Sequence, residues 1–181
     1  MTKPIMLGMA ALALAACNQT DQPKPTSEKA AEAAGDKTLA TGLGDNAKFA
    51  AAVKAAGLEA ALAGPTPYTV LVPNDAAFDK LPTGGVDTLM KPESRKELTA
   101  VLTNHILPGT MLAADIGKAI DGAGGTTRIA TLGGGTLTAT RDGDKIIIAD
   151  AAGTKATIIG ADSQRSNGVI HRIDAVLMPS T

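Results

Sequence analysis

The side chains in this sequence that could do chemistry are few. It has one cysteine, Cys17, and two histidines, His105 and His171. A serine nucleophile needs a base and an orienting acid. None of the five serines stands in a Gly-x-Ser-x-Gly elbow. Ser163 and Ser166 lie closest to His171 in sequence, in a stretch read as a polar loop. One thiol and two imidazoles do not make a zinc site. Asp142, Asp144 and Asp150 gather around a predicted hairpin, but they lack the twelve-residue calcium loop with its terminal glutamate. The glycine clusters at 122–125 and 133–135 do not follow a strand and open a helix, as a phosphate-cradling loop must. They read as turns. The expectation is a chain with no catalytic residues, no metal and no cofactor.

Composition narrows the classes further. Of 181 residues, 34 are alanine and 20 glycine, so three in ten carry almost no side chain. The aromatics are Phe49, Tyr68 and Phe78, too few for the stacking platforms of single-strand binders. Seventeen basic residues against eighteen acidic ones leave a net charge of −1, without the basic footprint that a phosphate backbone requires. No nucleic-acid partner is expected. Hydrophobic content of 44% is that of a globular chain.

The first residues read as an address. After Lys3 comes an apolar run over 5–16. As a helix, twelve residues reach roughly 18 Å, well short of the ~30 Å hydrocarbon core. This is the pattern of a signal peptide, over 1–16. Leu14-Ala15-Ala16-Cys17 resembles the lipobox of bacterial lipoproteins. The resemblance implies cleavage before Cys17, a diacylglycerol on its sulfur, and a membrane partner reached through that lipid. The next stretch, 17–37, is rich in Pro, Thr, Gln, Glu and Ala and carries no large apolar side chain. It cannot bury enough surface to offset the entropy of folding. It reads as a tether, reaching about 25 Å by the square-root rule.

One domain is expected over 38–181. Its first half has helical periodicity. Phe49, Ala52, Val53 and Ala56 share a face, with Asp45 as N-cap candidate and Gly57 as the stop. A short helical turn follows over 58–63. The run 68–72 is short, apolar and β-branched, which predicts a buried strand. Asn74 then caps a short helix carrying Ala77, Phe78 and Leu81. Pro92 and Glu93 open a helix with Leu98, Val101, Leu102 and His105 on its apolar stripe and Arg95, Lys96 and Glu97 outside. An amphipathic piece covers 112–120. Strands are predicted from Thr126 onward, at 136–141 and 145–149 around the Asp142-Gly143 turn, at 154–160, and at 169–178. Helices first and an antiparallel sheet second make an α+β domain.

Three separated blocks carry a resemblance. They are Thr69-Val70-Leu71-Val72-Pro73-Asn74-Asp75-Ala76-Ala77-Phe78, then Asn104-His105-Ile106-Leu107-Pro108-Gly109, then Asn167-Gly168-Val169-Ile170-His171-Arg172-Ile173-Asp174-Ala175-Val176-Leu177-Met178-Pro179. In this order over roughly 36–179 they resemble the fasciclin domain family. The resemblance implies a wedge of antiparallel β-strands with helices along one side. It also implies an extracellular or envelope setting and a role in cell adhesion or matrix interaction. Animal adhesive members tend to carry a tyrosine directly before the central histidine, where this chain has Asn104. Integrin-type recognition is therefore not carried over.

The motif residues Thr69, Pro73, Asn74, Phe78, Asn104, His105, Asn167, Gly168, His171, Asp174 and Pro179 read as mostly structural. His171 alternates with Val169, Ile173, Ala175 and Leu177, which turns it to the apolar face of a strand. His105 lies on a helical apolar stripe. Both are expected to be interior, hydrogen-bonded histidines. Asp174, on the opposite face, is expected to pair with Arg172 or to cap a loop. Phe78, Leu81, Leu89 and Met90 are expected to close the core over a small helix, with an exposed apolar patch for a ligand or partner as the alternative; some fasciclin domains bind carotenoids. The expected function is an adhesion or interaction module with an envelope or extracellular protein partner. A carrier of an apolar small molecule is the alternative.

Overall fold

The computed structural model describes residues 37–81 and 85–179. The expected signal peptide, Cys17 and nearly all of the expected tether lie outside the described residues. Helix α1 (Leu39–Gly42) leads through a 3-10 turn to α2 (Ala47–Ala56), α3 (Glu59–Ala63) and β1 (Tyr68–Pro73). Next come α4 (Asp75–Asp79), α5 (Gly85–Leu89), α6 (Arg95–Asn104), β2 (Ile106–Pro108) and α7 (Ala113–Gly122). The chain ends in β3 (Thr126–Ala130), β4 (Thr136–Asp142), β5 (Lys145–Ala149), β6 (Lys155–Arg165) and β7 (Gly168–Ile173).

The seven strands form a sheet in the order β2-β1-β7-β6-β5-β4-β3. Every pairing is antiparallel except β1 with β7, which run parallel from Tyr68 opposite Gly168 to Pro73 opposite Ile173. The two edges of the sheet nearly meet, because the Leu132 N–H donates to the Ile106 carbonyl at 2.7 Å. This mixed α+β wedge is the expected fold, except that one pair, β1 with β7, is parallel and not antiparallel.

Two apolar clusters explain the strand patterns. One fills the space between α1, α2, α6 and one face of β1 and β7, and includes Phe49, Val53, Leu102, Val70, Val72 and Ile170. The other fills the inside of the wedge, where Ile116 and Ile120 of α7 meet Leu71, Leu137, Ile148 and Ile173. β1 lies between them and is covered on both faces, so Val70, Leu71 and Val72 form an unbroken apolar run. β4 and β5 are covered on the inside only. There the pattern alternates, with Leu137, Ala139, Ile146 and Ile148 buried.

Three of the boundaries that differ from expectation bear on the site. Helix α2 starts behind Asn46, not Asp45. Its Lys48 N–H is met by the Asp75 carboxylate of α4 at 3.2 Å, and the Lys48 ammonium pairs with Asp79. A partner 27 residues away thus serves a helix terminus that local spacing assigned to its own neighbour. β6 runs to Arg165 through two register shifts, which place Asp162 at φ 57°. Ser163 and Gln164 are therefore ladder residues opposite Ile170 and Val169, not a loop. β7 stops at Ile173, because the Asp174 N–H turns to the Thr157 carbonyl and its carboxylate accepts the Thr157 N–H at 2.6 Å. The Asp174 carboxylate thus serves the backbone of β6 where β7 ends.

The Asn74 cap is present: its side-chain oxygen accepts from Ala77 N–H at 2.8 Å. Asn74→Ala is expected to cost about 1 kcal/mol, with Asn74→Asp retaining most of it. Urea midpoints measure both, and an Ala variant as stable as the parent would show that the cap is idle.

Candidate functional site

The motif blocks converge where β1, β7 and the ends of α6 and α3 meet. Leu71 N–H donates to the His105 carbonyl at 2.9 Å, and Leu71 stands opposite His171 in the parallel pair. The two histidines therefore flank one strand position. Both side chains are fully buried.

His105 follows the last residue of α6. Its Nδ1 donates to the Val101 carbonyl at 2.8 Å, and its Nε2 accepts the Leu177 N–H at 3.0 Å. These partners fix the tautomer with the proton on Nδ1. Phe49 meets the ring edge-on at 6.0 Å. Burial drives its pKa down to about 4, against smaller opposing effects of the Val101 carbonyl and Asp150.

His171 takes the other tautomer. Its Nε2 donates to the Met111 carbonyl at 2.8 Å, and its Nδ1 accepts the Asp162 N–H at 3.2 Å. The Asp162 carboxylate lies 3.9 Å from Nδ1 and accepts the Ala113 N–H at the start of α7. Burial lowers this pKa too, opposed by the Met111 carbonyl and by Asp162. The ring and Asp162 together hold 111–113 onto the sheet.

Most of the remaining motif residues are also occupied internally, though the buried amide nitrogen of Asn104 has no hydrogen-bond partner among the described residues. The Thr69 hydroxyl donates to the Gly109 carbonyl and accepts from Met111 N–H, both at 2.8 Å. Asn167 gives its amide protons to the carbonyls of Leu62 and Gly64 and accepts from Leu39 N–H, so one side chain ties α1, α3 and β7 together. At Gly168, φ is 151°, and an added Cβ would lie 2.0 Å from the Tyr68 carbonyl oxygen. Pro73 ends β1, and Pro179 is half-buried at the end of the described chain. Asn104 is buried, its oxygen 3.4 Å from the Thr131 hydroxyl.

Several participants carried no sequence signal. Asp150, read as a surface turn, is buried and bonds Thr154 N–H and Met178 N–H, both at 2.8 Å. It anchors the tail that also touches His105, while Asp142 and Asp144 stay exposed. Gly133 and Gly135 are packing positions as well as turn residues. A Cβ on either would come within 2.8 Å of the side chain of Thr103 or Asn104. Among the described residues no group of three or more His, Cys, Asp or Glu side chains is arranged to hold a metal.

Phe78, Leu81, Leu89 and Met90 fold in against the first core cluster and line a narrow cleft with Phe49 and Val176. The cleft encloses about 360 Å³ including its open mouth, yet only about 20 Å³ admits the centre of a water molecule. That is room for little more than one water.

The sequence matches the fasciclin domain over residues 44–179, and the chain belongs to that family. It is 36% identical to protein sll1483 of Synechocystis over 181 aligned residues, covering 96% of this chain and 89% of the relative. It is also 36% identical to the transforming growth factor-beta-induced protein ig-h3 of Sus scrofa, over 72% of this chain but only 17% of that larger protein. Among solved structures, the domain pair from the insect cell adhesion molecule fasciclin I shares the fold. The TM-score is 0.52 at 21% identity, over 70% of this chain and 40% of the other.

Proposed function

We propose that the chain is a non-catalytic binding module of fasciclin type, anchored in the bacterial envelope through lipidated Cys17. It would act in cell adhesion or in protein interactions at the periplasmic or outer face. One observation carries the reading: both histidines have both ring nitrogens engaged inside the core. The residues most suited to acid–base chemistry are thus spent on holding the fold, which leaves the surface to do the binding. The membership of an insect cell adhesion molecule in the same fold adds to this, and the lipobox-like Leu14-Ala15-Ala16-Cys17 supplies the anchor. Several anchored copies on one membrane gain avidity from individually weak contacts.

The test is expression of the full chain beside Cys17→Ser in a bacterium with an active lipoprotein pathway. The parent chain should fractionate with membranes at a mass raised by acyl chains, and the Ser variant should not. Vesicles carrying the parent chain should adhere to cells. A parent chain with a free thiol in the soluble fraction would overturn the anchor, and vesicles that adhere to nothing would overturn the module. The alternative, a carrier of an apolar molecule, rests on the apolar lining of the narrow cleft. Native mass spectrometry of the purified protein decides it: carriage requires an added ligand mass beyond the acyl chains.

A further inference from the structure

The helices cover the outer face of the sheet over β1 and β7, whereas α7 packs β3 and β4 from inside the wedge. Among the described residues, no helix covers the outer face of β3 to β6. Register places its side chains in rows. Arg128, Thr138, Ala149 and Lys155 stand opposite one another across the four strands. Beside them run Thr126, Thr140, Ile147 and Thr157, with Thr136 and Lys145 at either end of the face. All are exposed or half-exposed.

The chemistry of this face is unusual for a chain of net charge −1. Among the described residues, no carboxylate lies within ion-pairing distance of Arg128, Lys145 or Lys155. Arg128 and Lys155 bracket one row at three strand spacings, about 14 Å. Asp142 stands opposite Lys145 at the hairpin end and Asp144 lies in the turn, whereas the row from Arg128 to Lys155 contains no acid. Between the cations stand five threonines, each offering one hydroxyl as donor and acceptor. The face has no aromatic side chain and only one strongly exposed large aliphatic, Ile159 on β6, so it lacks the anchors on which protein interfaces depend.

We infer that this face binds an acidic polysaccharide of the envelope or extracellular matrix, a polymer of carboxylate-bearing sugars. The cations meet the carboxylates and the threonine array exchanges hydrogen bonds with ring hydroxyls. An acidic protein segment would satisfy the cations but offers only one backbone N–H and one C=O per residue, where each sugar ring offers several hydroxyls that both donate and accept. Such a ligand presupposes the adhesion module proposed above and names what it adheres to.

The test uses the full chain in mild detergent on resins carrying polygalacturonate, neutral dextran or poly-L-glutamate. The parent chain should be retained on polygalacturonate, pass through dextran, and elute as salt screens the contacts. The variant Arg128→Gln/Lys145→Gln/Lys155→Gln should bind at least about tenfold more weakly. Thr138→Val/Thr140→Val, with all charges intact, should lose several-fold. Lys91→Gln/Arg95→Gln/Lys96→Gln, on the helical side, should bind as the parent does. No retention on polygalacturonate, or undiminished binding by the triple sheet variant, overturns the inference. Stronger retention on poly-L-glutamate, unaffected by the valines, reassigns the face to an acidic peptide and overturns it as well. Adhesion of vesicles bearing the parent and the triple variant separates the two levels. Adhesion that survives in the variant removes this face and keeps the module, whereas none with the parent removes the module.

Discussion

Gly168→Ala is expected to cost more than about 4 kcal/mol and to prevent a cooperative fold at ordinary temperatures. Two independent effects coincide there. A φ of 151° lies in a region that essentially only glycine occupies, and the new Cβ would sit 2.0 Å from the Tyr68 carbonyl oxygen. That oxygen belongs to the backbone of β1, opposite Gly168 in the parallel pair, so relief requires parting β1 from β7. The neighbouring Asn167→Ala should approach the same severity by another route. It leaves Leu39 N–H and the Leu62 and Gly64 carbonyls without their side-chain partner, at about 1–3 kcal/mol for each buried group left unmet. Thermal or urea unfolding of both variants is the measurement. A Gly168→Ala protein within 1.5 kcal/mol of the parent, on the order of a single lost hydrogen bond, would show that the β1–β7 junction is not as tight as drawn.

These two residues also show how far the sequence could be read. Asn167 and Gly168 were legible as motif residues through the family resemblance. Their reasons were not, because both depend on contacts with segments about a hundred residues earlier. Local rules did well where the partner was local. The hairpin expected at Asp142-Gly143 is present, shifted by one residue so that Asp142 ends β4 opposite Lys145, and Asn74 caps its own helix. They failed where a distant group took over, as when Asp75 came to serve the start of α2. The inward turn of His171 followed from strand alternation. That the opposite face, at Ile170, is buried as well did not, because periodicity cannot reveal a layer of helices on the far side. Asp150 was the least legible. An aspartate after a strand and before Ala-Ala-Gly looks like a turn residue, and its second partner, Met178 N–H, lies 28 positions on. The open face of β3 to β6 was present in the alternating Thr and Ile pattern, but register was needed to align Arg128 with Lys155.

Acid should destabilise this protein through its two buried histidines. The His105 pKa is about 4 in the folded chain against 6.5 when solvated, because burial disfavours the imidazolium. Between these values the unfolded state binds more protons, so stability is full above pH 6.5 and falls as pH drops toward 4. At 1.36 kcal/mol per unit, His105 alone removes about 3 kcal/mol across that window. His171 is lowered in the same sense and adds to the slope. The geometry gives each loss a location. A proton on Nε2 of His105 confronts the Leu177 N–H that this nitrogen accepts, loosening the tail that closes the first core. A proton on Nδ1 of His171 confronts the Asp162 N–H, with the Asp162 carboxylate 3.9 Å away as partial compensation. His105 is therefore expected to be the steeper of the two. Urea unfolding free energies measured from pH 7.5 to 4.5 should fall for the parent and flatten in His105→Gln. That variant starts less stable at neutral pH but has lost one of the two titrating rings. Flattening in His171→Gln should be smaller. Equal slopes in the parent and the His105→Gln variant would mean that some other group governs the acid transition.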